Sequence, residues 1–471
     1  MKKLNRNIQF ILAALLVLAI GVGFGLYYQM VQSQTTLLAV AGENKASLRK
    51  LYSQAGEIYS RDGVALASSE SGDRVYAEDT SLQRSVSHFV GDYTHHMSNT
   101  IETQYQNQLL GKNRNLFDQL VLDVSGNGLQ GDDIYLTINS QLNAYAYDLL
   151  AQYKGAVVVM NYQTGEIVAM ASTPATNMEN IINYTDIPDT ALFNRAVSGQ
   201  YAPGSTWKIM TTAAWLNSDV YNPNYTLVTD GTAIRPNGAT DIESKGINGE
   251  YELQRAFTQS VNTFYGELAV MMGQEAFQDY IDSSGISSLT SLGKLNVRPA
   301  RVDSSAAAED AGLLSWFGIG QPAGDLVLTM TPIEMANLTA AVANGGQLLD
   351  PYLVDYVSDP LGRTRQESER NVRQTAFDVS TANYIKNMMI EAINSPESIQ
   401  SNVGIEGFTV GGKSGTAQVE GSYPTASWTG FLDHPDYPYA VAVIVEEAQS
   451  TSAIGAIGNA LLLQAIRLGL Q

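Results

Sequence analysis

At 471 residues and 50.9 kDa the chain exceeds one ordinary hydrophobic core, and a composition of 44% hydrophobic and 16% charged residues excludes wholesale disorder. The formal charge of −20 is concentrated in residues 131–471, so nucleic acid and anionic lipid headgroups find no electrostatic footing there. The absence of cysteine excludes disulfides, thiolate zinc sites and cysteine nucleophiles together, and the four histidines, His88, His95, His96 and His434, are read as surface or turn residues.

The first predicted element is a membrane helix. Ile8 to Tyr28 holds a single strongly polar residue, Gln9, and at about 1.5 Å per residue such a run crosses a ~30 Å hydrocarbon core. Lys2, Lys3 and Arg6 precede it without an acidic residue, which predicts residues 1–7 as a cytoplasmic tail and everything after Tyr28 as extracytoplasmic. A cleaved signal peptide is the rival reading, through Ala39-Val40-Ala41, but that triplet lies well beyond the apolar run and the run exceeds a signal peptide's usual core.

Residues 29–130 are polar and broken by turn signals such as Asp62-Gly63 and Ser125-Gly126-Asn127-Gly128, and they read as a membrane-proximal domain separate from residues 131–471. The pattern then sharpens. A strand is predicted at Ile134 to Ile138, a helix at Gln141 to Tyr153, a buried strand at Ala156 to Met160, a turn at Asn161 to Glu166 and a return strand at Ile167 to Met170. Another strand is predicted at Ala440 to Val445 and a last helix at Ala456 to Leu470, so the fold class is α+β with a sheet assembled from distant parts of the chain.

Three Ser-x-x-Lys pairs occur, Ser47/Lys50, Ser205/Lys208 and Ser291/Lys294. On a helix this spacing stacks the two side chains one turn apart, where an unprotonated lysine can take the serine proton, but any one pair alone is ordinary helix surface. Ser205 differs from the others in following Tyr201-Ala202-Pro203-Gly204, a turn, and in opening the apolar run Trp207 to Leu216, which places its N–H at a helix N-terminus. Ser-x-Asn occurs at Ser125/Asn127 in a glycine-rich turn and at Ser260/Asn262 between two helical stretches. Lys-Ser-Gly occurs once, at Lys413-Ser414-Gly415, followed by Thr416-Ala417-Gln418-Val419 on a predicted strand whose glycine permits close approach of a ligand.

The ordered set Ser205/Lys208, Ser260/Asn262 and Lys413/Ser414/Gly415 resembles that of the penicillin-binding proteins, in particular the monofunctional class B serine D,D-transpeptidases of peptidoglycan synthesis. The resemblance extends to Asn194-Arg195-Ala196, Gly318-Ile319-Gly320-Gln321, Met330 to Ala336, Ala343-Asn344-Gly345-Gly346 and Gly412 to Gln418, and covers residues 131–471. Gly56 to Ala67 is similar to the opening of the class B membrane-proximal domain, with Ala55 where that family has arginine.

The resemblance implies a penicillin-binding transpeptidase, or serine β-lactamase-like, domain: an antiparallel sheet with helices on both faces and an all-helical subdomain. It implies Ser205 as nucleophile, Lys208 as base and Ser260 as the group passing the proton to departing D-Ala. It assigns Asn262, Lys413, Ser414, Gly415 and Thr416 to substrate binding, and the N–H groups of Ser205 and Thr416 to the oxyanion hole. Burial beside a positive Lys413 is expected to lower the Lys208 pKa. The implied substrates are D-Ala-D-Ala stem peptides and β-lactams, with no metal or organic cofactor. A polytopic membrane glycosyltransferase of the SEDS family is the implied partner, since about 100 residues before the catalytic domain cannot hold a polymerase. Three alternatives use the same constellation: a class A β-lactamase, whose Glu-x-x-Leu-Asn pattern is absent here, a β-lactam sensor, and a catalytically retired wall protein.

Overall fold

The structure, a computed structural model, describes residues 11–22, 45–69, 72–229, 247–400, 403–419, 421–448 and 452–470. Residues 11–22, the described part of the expected membrane segment, form a helix with exposed apolar side chains. Among the described residues no helix is long and apolar enough to cross a membrane, and the ends of the expected span, 8–10 and 23–28, lie outside them.

Two sheets organise the rest. The smaller one joins β1 (Ile58–Tyr59), β2 (Ala65–Ser68), β3 (Val75–Tyr76), β4 (Asp133–Leu136), β7 (Val354–Ser358) and β8 (Thr364–Glu367), in the order β8-β7-β4-β1-β2-β3. Its β1–β4 pair is parallel, so strands from both sides of residue 130 share one ladder. Residue 130 therefore marks a change of sequence pattern inside a continuous sheet.

The larger sheet joins β5 (Lys154–Asn161), β6 (Ile167–Thr173), β9 (Val410–Ala417), β10 (Thr425–Leu432) and β11 (Tyr439–Glu446), in the order β9-β10-β11-β5-β6. Every pairing is antiparallel, including β11 on β5 across nearly 280 residues of chain. Its central strands are apolar on both faces, as a strand covered on both sides must be. Val157, Val159, Val441, Val443 and Val445 face one core with α1 (Ser140–Leu150) and α8 (Ser452–Arg467). Ala156, Val158, Met160, Ala440, Ala442 and Ile444 face the other, against α6 (Pro332–Ala343). The α6 start is fixed by a capping box between Thr331 and Glu334 with Pro332 in the first turn.

A helical lobe borders the β9 edge. It contains α2 (Lys208–Leu216), α3 (Leu253–Thr258), α4 (Asn262–Met272), α5 (Ala311–Gly318) and α7 (Val379–Asn394). Trp207, Phe264 and Trp428 are fully buried packing groups. His88 corrects the sequence reading. It lies on the helix Thr80–Val90, which packs against α1 and β6, and is 2% exposed with neither ring nitrogen hydrogen-bonded among the described residues.

Candidate active site

The site forms where the helical lobe meets β9. Pro203 leads into a single 3₁₀ turn, Gly204–Trp207, which runs directly into α2 at Lys208. Ser205 thus stands on the turn and Lys208 on the first residue of the helix, three positions on, with only Ser205 partly exposed. The turn is pinned through the Pro203 carbonyl, which accepts from Thr206 Oγ1 at 2.8 Å and from Ser427 Oγ of β10 at 3.1 Å. Gly204 has a φ of +55°, and a Cβ there would lie 2.6 Å from the Thr416 carbonyl oxygen, so glycine lets the turn rest against β9.

Ser260 lies in the break between α3 and α4, and Asn262 opens α4. Ser260 holds a φ of +56°, an uncommon conformation for a residue with a side chain. Lys208 Nζ lies 2.8 Å from the Ser260 carbonyl oxygen, 2.8 Å from Asn262 Oδ1 and 3.1 Å from Ser260 Oγ. Lys413 reaches the same hydroxyl from β9, at 2.9 Å. Both lysines are 0% exposed, and aromatic rings floor the cluster, Tyr265 at 5.2 Å from Lys208 Nζ and Phe257 at 5.5 Å from Lys413 Nζ. Among the described residues no carboxylate pairs with either ammonium.

That arrangement controls charge. Burial alone pulls Lys413 down to about 7, and Lys208 is driven well below the usual lysine range by burial and then by the Lys413 charge beside it. Both shifts favour loss of a proton from the pair, and the Lys413 charge adds to burial in favouring the neutral amine at Lys208. Lys208 Nζ donates to the Ser260 carbonyl, to Asn262 Oδ1 and to the Ser260 hydroxyl, which also accepts from Lys413; on losing a proton the amine gains a lone pair able to accept one.

Of the three Ser-x-x-Lys pairs, only Ser205/Lys208 meets the other two motifs. Ser47/Lys50 lies on the helix Lys45–Leu51, and Ser291/Lys294 spans a hairpin with Lys294 over the Tyr105 ring. Ser125/Asn127 closes a surface helix. Gly415, expected to admit a ligand closely, packs against the chain itself: a Cβ there would sit 2.3 Å from Ser427 Oγ and 2.6 Å from the Pro203 oxygen. Ser414 and Thr416 flank it, half-buried on the edge strand of the sheet.

Sequence reasoning missed the aromatic floor and the role of Gln321, whose side-chain amide hydrogen-bonds the backbone at Thr416 in β9 and at Gln418 just beyond it. It also missed Glu446, which accepts from Tyr201 Oη at 2.7 Å and Arg195 Nε at 2.8 Å and so ties the segment before the turn to β11. The signal was there in Asn194-Arg195-Ala196 and Gly320-Gln321, but not the partners. Among the described residues no group of three or more histidine, aspartate and glutamate side chains is placed to hold a metal ion.

The pattern of the penicillin binding protein transpeptidase domain matches residues 155–466, more than half of the chain. The chain belongs to the penicillin-binding protein transpeptidase family. Within that family it is 28% identical over 398 residues to the peptidoglycan D,D-transpeptidase PbpA of Mycolicibacterium smegmatis, covering 77% of this chain and 78% of the relative. It is 25% identical over 357 residues to the peptidoglycan D,D-transpeptidase MrdA of Haemophilus influenzae, covering 69% of this chain and 54% of the relative. Penicillin-binding protein A from M. tuberculosis, solved as an imipenem acyl-enzyme complex, superposes with a TM-score of 0.78 at 26% identity, over 89% of this chain and all of that one. The D,D-transpeptidase domain from Eggerthella lenta superposes with a TM-score of 0.77 at 28% identity, over 88% of this chain and 98% of that one. The expected transpeptidase fold and penicillin-binding family are thereby borne out.

Proposed function

We propose that this penicillin-binding protein is a peptidoglycan D,D-transpeptidase that cross-links stem peptides through an acyl-enzyme on Ser205 and is acylated there by β-lactams. The observation that carries the reading is the Ser260 hydroxyl held between two fully buried lysines, Lys208 and Lys413, beside the serine turn.

In this reading Lys208 takes the Ser205 proton as Oγ attacks the penultimate D-Ala carbonyl, and the oxyanion is received by the N–H groups of Ser205 and Thr416. The proton passes through Ser260 to the nitrogen of the departing D-Ala as the C–N bond breaks. Lys413, Ser414 and Thr416 hold the terminal carboxylate, Gly415 gives the substrate and the turn close access to β9, and Asn262 holds Lys208 and the substrate amide. The amine of a second stem peptide then attacks the ester, forming the cross-link and returning Ser205 to its hydroxyl form. The absence of the Glu-x-x-Leu-Asn pattern favours transfer to an amine over hydrolysis.

The same reading puts residues 1–7 in the cytoplasm, 8–28 across the membrane and everything after them outside, beside a SEDS-family polymerase, with 29–130 forming a pedestal whose sheet is completed by strands from 131–471. The apolar run with its basic N-terminal flank supports it. The test is assembly in vitro: the full chain, given a lipid-linked precursor and a polymerase, is expected to release D-Ala and form cross-linked dimers, and Ser205→Ala to form neither. For topology, protease added to intact spheroplasts is expected to digest residues 131–471; their protection, or a mature chain beginning after Ala41, overturns the anchored arrangement.

A further inference from the structure

Gly320 and Gln321, just past α5, touch both halves of the site at once. The Gly320 carbonyl accepts the Gly204 N–H at 2.9 Å, and Gly320 itself has a φ of +80°, with a Cβ there falling 2.0 Å from the Gly204 oxygen. The next residue, Gln321, is 8% exposed and spends its whole amide on the edge of β9. Its Nε2 donates to the Thr416 carbonyl at 2.6 Å, and its Oε1 accepts from the Gln418 N–H at 3.0 Å. A single side chain thus does what a neighbouring strand would do at one point of the ladder.

In an antiparallel strand the N–H and C=O of one residue point to the same edge, so the edge that Gln321 grips at the Thr416 carbonyl is the edge that carries the Thr416 N–H. A Cβ on Gly204 would lie within 2.9 Å of the Thr416 nitrogen, which shows how closely the turn and the strand are set. We infer that Gln321 is a positioning residue that, with the Gly320 carbonyl, sets the spacing and angle between the N–H groups of Ser205 and Thr416. Gln321 acts on the reaction through those two donors and does not contact the reacting atoms. This inference rests on the assignment of both N–H groups to the oxyanion hole.

The test uses the full chain with benzylpenicillin and two variants, Gln321→Ala and the near-isosteric Gln321→Glu, which keeps an acceptor for Gln418 but loses the donor to Thr416. Stopped-flow acylation separates the rate constant for ester formation from the dissociation constant of the encounter complex, and infrared difference spectra read the ester carbonyl band of the acyl-enzyme. Removing an oxyanion donor costs about 10²–10³ in rate. Misaligning one is expected to slow ester formation about 10- to 100-fold, with the dissociation constant unchanged within about twofold. The carbonyl band should move towards that of a free ester, and a merely structural role would leave it in place. Both variants forming ester at the wild-type rate with the wild-type band overturn the inference. If one variant fails to fold, the other decides it. If the wild-type band already matches a free ester, the oxyanion assignment falls and takes this inference with it, whereas Ser205 acylation would stand.

Discussion

Lys413 Nζ and Ser260 Oγ lie 2.9 Å apart across 153 residues of chain, and the same hydroxyl lies 3.1 Å from Lys208 Nζ. Two buried ammonium groups sharing one neighbour cannot both keep their protons cheaply, and burial together with the Lys413 charge drives Lys208 well below the usual lysine range. In the proposed mechanism the base for Ser205 is thereby produced by burial and repulsion, without histidine.

The pH dependence follows from these shifts. In the proposed mechanism acylation needs Lys208 neutral and Lys413 charged. Its rate is expected to rise with pH through a Lys208 pKa far below the ordinary lysine value, and to fall above about 7 as Lys413 loses its proton. In Lys413→Arg the guanidinium stays charged, so the alkaline limb should disappear. A wild-type profile still rising above pH 9 contradicts this assignment.

Charge and shape at residue 413 can be separated. Lys413→Ala is expected to slow acylation by about 10³ or more, as loss of a preorganised charge does, and Lys413→Arg by considerably less. Equal loss in both variants, measured as second-order acylation rate, would show that ammonium geometry or proton exchange is the requirement.

Ser260 carries backbone strain as well as chemistry. Its φ of +56° costs a non-glycine residue about 1 kcal/mol, so Ser260→Gly is expected to be more stable than Ser260→Ala by about that amount in denaturant unfolding. Both variants should lose turnover alike, since both lack the hydroxyl.

The contact between β9 and the serine turn is intolerant of a methyl group. Gly415→Ala would press on Ser427 Oγ and the Pro203 oxygen, and is expected to cost about 1–3 kcal/mol and to lower acylation more than tenfold. Crystallographic or kinetic evidence of an unmoved turn with wild-type acylation would refute the tight fit.

His88 makes folding acid-sensitive. Burial lowers it to about 4, so between its unfolded value near 6.5 and about 4 the unfolded chain binds a proton that the folded chain does not. Stability is thus intact above about 6.5 and falls with decreasing pH through that window, by roughly 3 kcal/mol in all. His88→Leu should remove this component from the difference between urea midpoints at pH 7 and pH 4.5.

Much of the candidate site was legible because its parts are local in sequence: Ser205 with Lys208, Ser260 with Asn262, and Lys413 to Thr416 are each one turn or one strand segment. The two central strands of the large sheet were legible because their faces are uniformly apolar. What the sequence hid is long-range. Gln321 meets Thr416 across 95 residues, Glu446 meets Tyr201 across 245, and β1 pairs with β4 across the pattern change at residue 130. His88 shows the same limit, since a polar residue on an amphipathic helix does not reveal that its face is covered by α1 and β6.

The most direct test of the central claim is the intact mass of the purified chain after exposure to benzylpenicillin, followed by peptide mapping. The account predicts one stable adduct per chain, confined to the peptide containing Ser205, slow to hydrolyse and absent in Ser205→Ala. An adduct at Ser47 or Ser291, or undiminished labelling of Ser205→Ala, would contradict it.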